Sequence, residues 1–511
     1  MKSGRTPLFR SLMRAMQQAS PAVSHKTRRD FLRIAGATGV AALTGMSHAR
    51  GRHKLSGPVA IVGGGIAGLT TAYRLMKAGV EVHLYEMQNR FGGRMFTKRN
   101  FNKDGMFVEL GGELVDSNHK DLIKLARELD VPLQSLRKGE KGLDYYYFNG
   151  KIYTDHDIIP AIAPLMEKIG SDAEDLYDKE DAFTDKARKL DQISLKDYLK
   201  ATGAGVPAWV MEMIETAYVP EFGLDAHRQS CLNMVDFINP DTRHGFEIFG
   251  DSDEALRIKG GNDTLPTVVF EAIKNRVTIR SEHRLVGISA TGTTGHKLTF
   301  SHKGKPFTAS YDHVIMAIPF TILRDVDGVD HLKLSPEKMR AIRKMGYGTN
   351  IKIMAGFTDR TWRQPRDGGK VFCNGSVYTD KSFQTCWETS RGQKGVSGII
   401  TNFMGGSPAA NYEPDYLDNL LREGNGLFPG FKSKFDGNKA VMNWPQISTI
   451  KASYSSPLVG QYTWVYQAAA APECGGRLLF AGEHTSFESP GYMNGGVESG
   501  NRAADELLSL E

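Results

Sequence analysis

Gly63, Gly65 and Gly68 stand in the spacing G-x-G-x-x-G, and Glu86 follows Gly68 by eighteen residues. That combination suits the binding of a dinucleotide. Gly63 allows a tight turn, Gly65 lets backbone approach a pyrophosphate, and Gly68 lets a helix pack on a strand. Ile66 and Ala67 open the helix whose free N–H groups and positive dipole would face the phosphates. Glu86 can accept hydrogen bonds from ribose hydroxyls.

The elements that must position these residues are readable around them. Residues 59–62 form a short apolar run of the kind buried on both faces of a parallel sheet. A helical stretch covers about 66–78 and stops at Gly79, and a second strand covers 81–85. Beyond Glu86, Arg90-Phe91-Gly92-Gly93-Arg94 offers bare backbone and guanidinium groups to phosphate. Two further segments clear side chains away, Glu109-Leu110-Gly111-Gly112-Glu113 and Ile258-Lys259-Gly260-Gly261-Asn262, the latter opening a helix at Thr264. Strand-like runs at 277–280, 284–289 and 313–318 follow.

The C-terminal region carries a second strong pattern. Residues 477–481 read as a buried strand broken at Gly482-Glu483, and Gly491-Tyr492-Met493 leads into a final helix. Small residues at 495, 496, 499, 500, 503 and 504 would let that helix lie close to a flat object. An isoalloxazine ring suits it, because reduction places negative charge near the helix N-terminus.

Residues 1–49 read as an address. Thr27-Arg28-Arg29-Asp30-Phe31-Leu32-Arg33 matches a twin-arginine export signal, followed by a thirteen-residue weakly apolar stretch and Ser47-His48-Ala49. The stretch is too short to span a bilayer stably. Eight basic residues against one acid give this segment +7, so the chain's net +6 leaves the remainder near −1. The basicity therefore does not point to nucleic acid or to an anionic membrane, and no stable membrane anchor is expected. The expected location is periplasmic or secreted. Cys231, Cys373, Cys386 and Cys474 show no metal-ligand spacing, and no metal is expected.

Taken together the blocks resemble the flavin-containing amine oxidases, the family of monoamine, polyamine and L-amino acid oxidases. They are 63–68 with Glu86, 90–94, 109–112, 259–266, Lys333-Leu334-Ser335-Pro336, Trp444 with Ser453-Tyr454-Ser455, and 480–504. Gly482-Glu483-His484-Thr485-Ser486 looks like the polyamine oxidase version, and Gly491-Tyr492-Met493 like the monoamine oxidase one. The fold implied is α/β, with a discontinuous Rossmann-type FAD-binding domain interleaved with an α+β substrate-binding domain and a helical insertion. The expected division is a signal peptide at 1–49 and FAD-binding segments at 56–115, 250–300 and 465–511. A helical substrate region at 116–240 and a substrate domain at 305–460 complete it.

The resemblance also implies roles. Glu86 would hold the adenosine ribose; Gly63, Gly65, Gly68, Gly93 and Arg94 the pyrophosphate; Val286 the adenine through its backbone; and Glu483 the ribityl chain. Gly111, Gly112, Glu113, Trp444, Gly482, Gly491 and Met493 would complete the flavin wall. Lys333 falls where the family places a lysine that holds a water against flavin N5. Tyr454 and Tyr492 match two aromatic residues flanking the substrate nitrogen, a slot that attracts a cation yet is dry enough to favour the neutral amine.

Two departures narrow this. Serines surround Tyr454 where monoamine oxidases carry a flavin-tethering cysteine, so FAD is expected to be non-covalent. No arginine follows Leu110-Gly111, where many L-amino acid oxidases clamp a carboxylate. Glu113 or Asp116 is a candidate to meet the second ammonium of a diamine. The expected activity is oxidative deamination of a primary amine, a diamine or polyamine, or an L-amino acid, with dioxygen reduced to hydrogen peroxide. An L-amino acid oxidase giving a 2-oxo acid is the nearest alternative. A flavin desaturase or porphyrinogen-type oxidase, and a non-enzymatic flavin module, stand further off. Oligomeric state is left open, a homodimer included.

Overall fold

The sequence places its purely apolar runs in the middle of the nucleotide-type sheet. In the computed structural model Val59–Val62 lies between His313–Met316 and Val82–Tyr85, parallel to both, with Ile61 opposite Ile315 and Leu84. Leu478–Phe480 closes one edge and Thr278–Arg280 the other, giving five parallel strands. All four residues of the central strand are buried, as covering of a parallel sheet on both faces requires. The structure describes residues 55, 57–242, 246–250, 252–292, 295–365 and 371–510. The export signal at 1–49 lies outside them.

Helix Ile66–Lys77 covers one face of this sheet and ends before Gly79, whose φ of +84° suits glycine. Helices Thr264–Ile273, Lys120–Glu128 and Met493–Leu508 share its apolar core through Leu265, Val269, Leu122, Leu125, Val497 and Leu507. A three-stranded antiparallel ribbon, His283–Thr291, Gly295–His302 and Lys305–Tyr311, lies beyond the other face and buries Phe300 against Tyr85. The strands and helices of this layer come from widely separated stretches of chain, so the unit is discontinuous as expected.

A second sheet of seven strands has the order Phe435–Asn443, Ile351–Phe357, Gly398–Met404, Thr385–Glu388, Cys373–Thr379, Leu143–Phe148, Lys151–Tyr153. Its strands are antiparallel except for the pairing of Cys373–Thr379 with Leu143–Phe148. Two strands of the stretch expected to be helical thus join this sheet, and a third, Leu133–Ser135, pairs with Leu256–Ile258. Helices Asp155–Glu174, Asp185–Asp191, Leu195–Thr202, Ala208–Phe222 and Leu232–Val235 pack together around Ile158, Ile162, Val210, Met213 and Tyr218. Ala208–Phe222 ends at Gly223, φ +64°. No helix among the described residues is long and apolar enough to cross a membrane.

Candidate active site

Each glycine of the loop after the first strand has a separate steric reason. A Cβ on Gly63 would lie 2.4 Å from the Ala317 carbonyl oxygen, and its φ is +113°. A Cβ on Gly68 would lie 1.9 Å from the Gly63 oxygen, so helix and strand touch only because that side chain is missing. A Cβ on Gly65 would meet nothing nearer than the Gly93 Cα at 3.9 Å, leaving backbone open at the N-terminus of the helix. Glu86 is buried and oriented by the Gly64 N–H at 2.7 Å and the Gln88 N–H at 2.8 Å. Burial pushes its carboxyl above the usual range, and those N–H groups pull it back.

One cavity begins here and runs between the two sheets. It is lined by Gly63, Gly65, Ile66, Ala67, Glu86, Gly93, Arg94, Gly111, Gly112, Glu113, Trp444, Gly482, Glu483, Gly491, Tyr492 and Met493, and continues past Tyr454. It therefore gathers most of the residues singled out in the sequence.

Glu483 organises the middle of this wall. Its carboxylate pairs with Arg94 at 3.0 Å and accepts from the Ser455 N–H at 3.1 Å, the Ser455 hydroxyl at 2.6 Å and the Gly491 N–H at 2.8 Å. Burial alone would raise its pKa, but the Arg94 charge and these bonds hold it below the ordinary value. Ser455 and Gly491 are the chain neighbours of Tyr454 and Tyr492, so one carboxylate sets the backbone beside both rings. The Tyr454 hydroxyl donates to the main-chain oxygens of Glu221 and Pro220, at 2.6 and 3.2 Å. The Tyr492 hydroxyl donates to the Glu221 carboxylate at 3.2 Å. Trp444 donates from Nε1 to the Leu110 oxygen at 2.8 Å, fixing the Leu110–Glu113 turn.

Several expectations are corrected. Lys333 stands exposed and outside the cavity, in the loop before helix Pro336–Lys344. The lysine in the wall is Lys352, on a strand buried along its length, with Nζ 2.8 Å from Glu113 Oε2 and 3.1 Å from the Gly111 oxygen. Val286 lies beyond the lining, and its oxygen accepts from the Asp327 N–H at 3.0 Å; His283, Arg284 and Leu285 border the cavity instead. The ladder bulges between Leu285 and Gly287, which displaces Val286.

Glu113 is paired with Lys352, and Asp116 is outside the cavity, accepting from the Ser252 hydroxyl and the Glu254 N–H. Neither is placed to meet a second ammonium. The small residues of the last helix mostly serve protein packing: Gly496 abuts Ile66 and Gly500 abuts Ala67 and Thr70, while Gly495 faces Ser489 and Ser486. Its N-terminus, from Tyr492 to Gly496, still borders the cavity.

The sequence reading missed the far end of the cavity. There Glu221, Glu254, Tyr378, Trp387 and Phe403 converge from the Ala208–Phe222 helix, a turn and three strands of the mixed sheet. Glu254 sits at φ +48°, its N–H tied to Asp116 at 2.8 Å. Burial raises the Glu254 carboxyl to about 7, helped by Asp116 and Asp144. Burial and the nearby Glu254 push the Glu221 carboxyl well above the usual range. A signal for Lys352 existed: it is a lone charge inside the apolar run 351–357.

The chain matches the flavin containing amine oxidoreductase family over residues 66–508 and belongs to it. An L-amino-acid oxidase of Bothrops moojeni is 24% identical over 478 residues, covering 88% of this chain and 89% of that protein. Amine oxidase B of Sus scrofa is 23% identical, covering 88% and 86%. Among solved structures, cyclohexylamine oxidase from Brevibacterium oxydans superposes with a TM-score of 0.74 at 20% identity, covering 89% of this chain and 99% of that one. A putrescine oxidase bound to putrescine gives 0.73 at 20% identity, covering 88% and 99%. The fold is thus that of flavin-dependent amine oxidoreductases, and the chain is an enzyme of that class.

Proposed function

We propose that the protein is an FAD-dependent amine oxidase for cationic amines without a carboxylate, diamines foremost, with dioxygen as acceptor and hydrogen peroxide as product. The observation that carries this reading is the acidic end of the cavity. The Tyr492 hydroxyl donates to the Glu221 side chain and the Tyr454 hydroxyl to the Glu221 main-chain oxygen, and Glu254 lies close enough to raise the Glu221 pKa. The basic residues lining the cavity are Arg94, Arg284 and Lys352. Arg94 is paired with Glu483, Lys352 with Glu113, and Arg284 sits at the His283 end. An amino acid carboxylate would therefore meet acids where it needs an arginine.

The residues present fit FAD. The open notch at Gly65, the helix N-terminus behind it and Glu86 suit its pyrophosphate and ribose. When bound, FAD supplies the ring that takes hydride from the carbon bearing nitrogen and hands the electrons to dioxygen. Tyr454 and Tyr492 receive the amine between apolar ring faces, while Glu254, which ionises near pH 7, draws it in as a cation and accepts its proton. Lys352, on the opposite wall, takes the place that resemblance gave to Lys333, that of the lysine holding a water against flavin N5. Non-covalent attachment is supported by Ser453 and Ser455 beside Tyr454. Export as a folded protein through the twin-arginine route is part of this proposal and rests on residues 27–49.

Anaerobic bleaching of the bound flavin by monoamines, diamines, polyamines and L-amino acids tests the reading. Diamines should bleach fastest. Faster bleaching by neutral L-amino acids would overturn it in favour of a 2-oxo-acid-forming oxidase.

A further inference from the structure

The Glu113–Lys352 pair is built more closely than a lysine acting alone requires. Both side chains are almost fully buried, at 3% and 6% exposure, and their charged atoms are 2.8 Å apart. An ammonium has three donors. One goes to Glu113 and one to the Gly111 oxygen, which leaves a third for whatever occupies the cavity. The other Glu113 oxygen accepts from the Thr389 hydroxyl at 2.7 Å, and Thr389 is 2.6 Å from the Thr401 hydroxyl. Glu113 is thus anchored on the side away from Lys352 and cannot swing aside without breaking that chain.

We propose that Glu113 is a positioning residue that keeps Lys352 charged and aimed into the cavity. The inference rests on the reading that the flavin ring lies at this end of the site. A fixed cation stabilises negative charge as it develops. A buried ammonium stripped of its counter-ion loses its proton more readily, because an isolated charge in a dry wall is costly. Burial alone would raise the Glu113 carboxyl, but the Lys352 charge, its hydrogen bond and the Thr389 hydroxyl hold it below the ordinary value. The other charged groups facing the pair are Glu109, which burial pushes up to about 7, and Arg257. The Trp387 ring lies 5.4 Å from Nζ across the sheet.

The test uses the FAD-loaded full chain and two readouts independent of any amine. One is the affinity of the oxidised flavin for sulfite, whose adduct is anionic. The other is the pH profile of reoxidation by dioxygen after photoreduction. Glu113→Gln should weaken sulfite binding about tenfold and slow reoxidation progressively toward alkaline pH, approaching Lys352→Met. Glu113→Asp should recover part of both. Wild-type sulfite affinity and an unchanged pH profile in Glu113→Gln would overturn the proposal. If Glu113→Gln fails to hold FAD, the double variant Glu113→Gln/Lys352→Met decides. Recovered flavin supports an orphaned charge as the cause, and continued loss shows Glu113 to be structural and overturns the proposal. A wild-type protein that takes up no flavin would instead sink the proposed function.

Discussion

Tyr492, at the start of the last helix, donates its phenolic hydrogen to the Glu221 carboxylate at the end of the Ala208–Phe222 helix. The layer of the parallel sheet and the helical region are thus joined across the cavity, whose wall includes both residues. The His119 ring backs Tyr492 at 5.0 Å between centroids. The phenol is held from two sides, by a carboxylate acceptor and by a packed ring.

Tyr492→Ala should keep FAD bound in full while turnover falls at least about tenfold, as loss of a desolvated cation–ring contact implies. Tyr492→Phe, which keeps the ring and loses the bond to Glu221, should fall between. Flavin absorbance per chain and steady-state rates check this. Parallel loss of flavin and rate would make the ring structural.

Glu254→Gln should raise KM for diamines far more than for monoamines. The wild-type kcat/KM for a diamine should rise as pH climbs through about 7, where Glu254 ionises. That limb should be missing from the variant's profile. A profile shared by both proteins would remove Glu254 from recognition.

Lys352→Met should slow flavin reoxidation strongly, and Lys333→Met should change neither flavin content nor turnover. Stopped-flow mixing of reduced enzyme with dioxygen separates the two. A slow Lys333 variant would restore the sequence-based assignment.

Glu109 is fully buried, and burial raises its carboxyl from 4.5 to about 7, against the Asn262 N–H and Thr97 hydroxyl that bond it. Between those values the folded chain binds more protons than the unfolded one, so stability falls as pH rises through that window. The contribution is about 3 kcal/mol at most. Glu109→Gln should flatten the change in Tm between pH 4.5 and 8. Equal slopes in both proteins would assign the dependence elsewhere.

Gly68→Ala should unfold or strongly destabilise the protein, since its methyl would overlap the Gly63 oxygen. Gly65→Ala meets open space and should fold with a near-native Tm but bind FAD weakly. Thermal melts with and without added FAD distinguish them. Equal Tm losses would contradict the division of labour between the two glycines.

Much of the nucleotide half is legible in sequence because its constraints are local. Gly63, Gly65 and Gly68 act within one turn, and Glu86 ends the next strand. Glu483 and the tyrosines are legible through blocks of neighbouring residues. The substrate half is not, because it is assembled at long range. Lys352 matters through Glu113, 239 positions away, and Glu221 through Tyr492, 271 positions away. The motif around Lys333 points to it, but position in a motif does not show whether a lysine enters a cavity. Small residues on the last helix signal close approach without saying to what, and the partner is mainly the Ile66–Lys77 helix.

The strand Leu478–Phe480 covers the backbone of His313–Met316 at one margin of the parallel sheet, and the helix Met493–Leu508 lies against the Ile66–Lys77 helix. A chain cleaved ahead of Leu478 would bare both at once, leaving a sticky row of unpaired amides and carbonyls beside an uncovered apolar helix face.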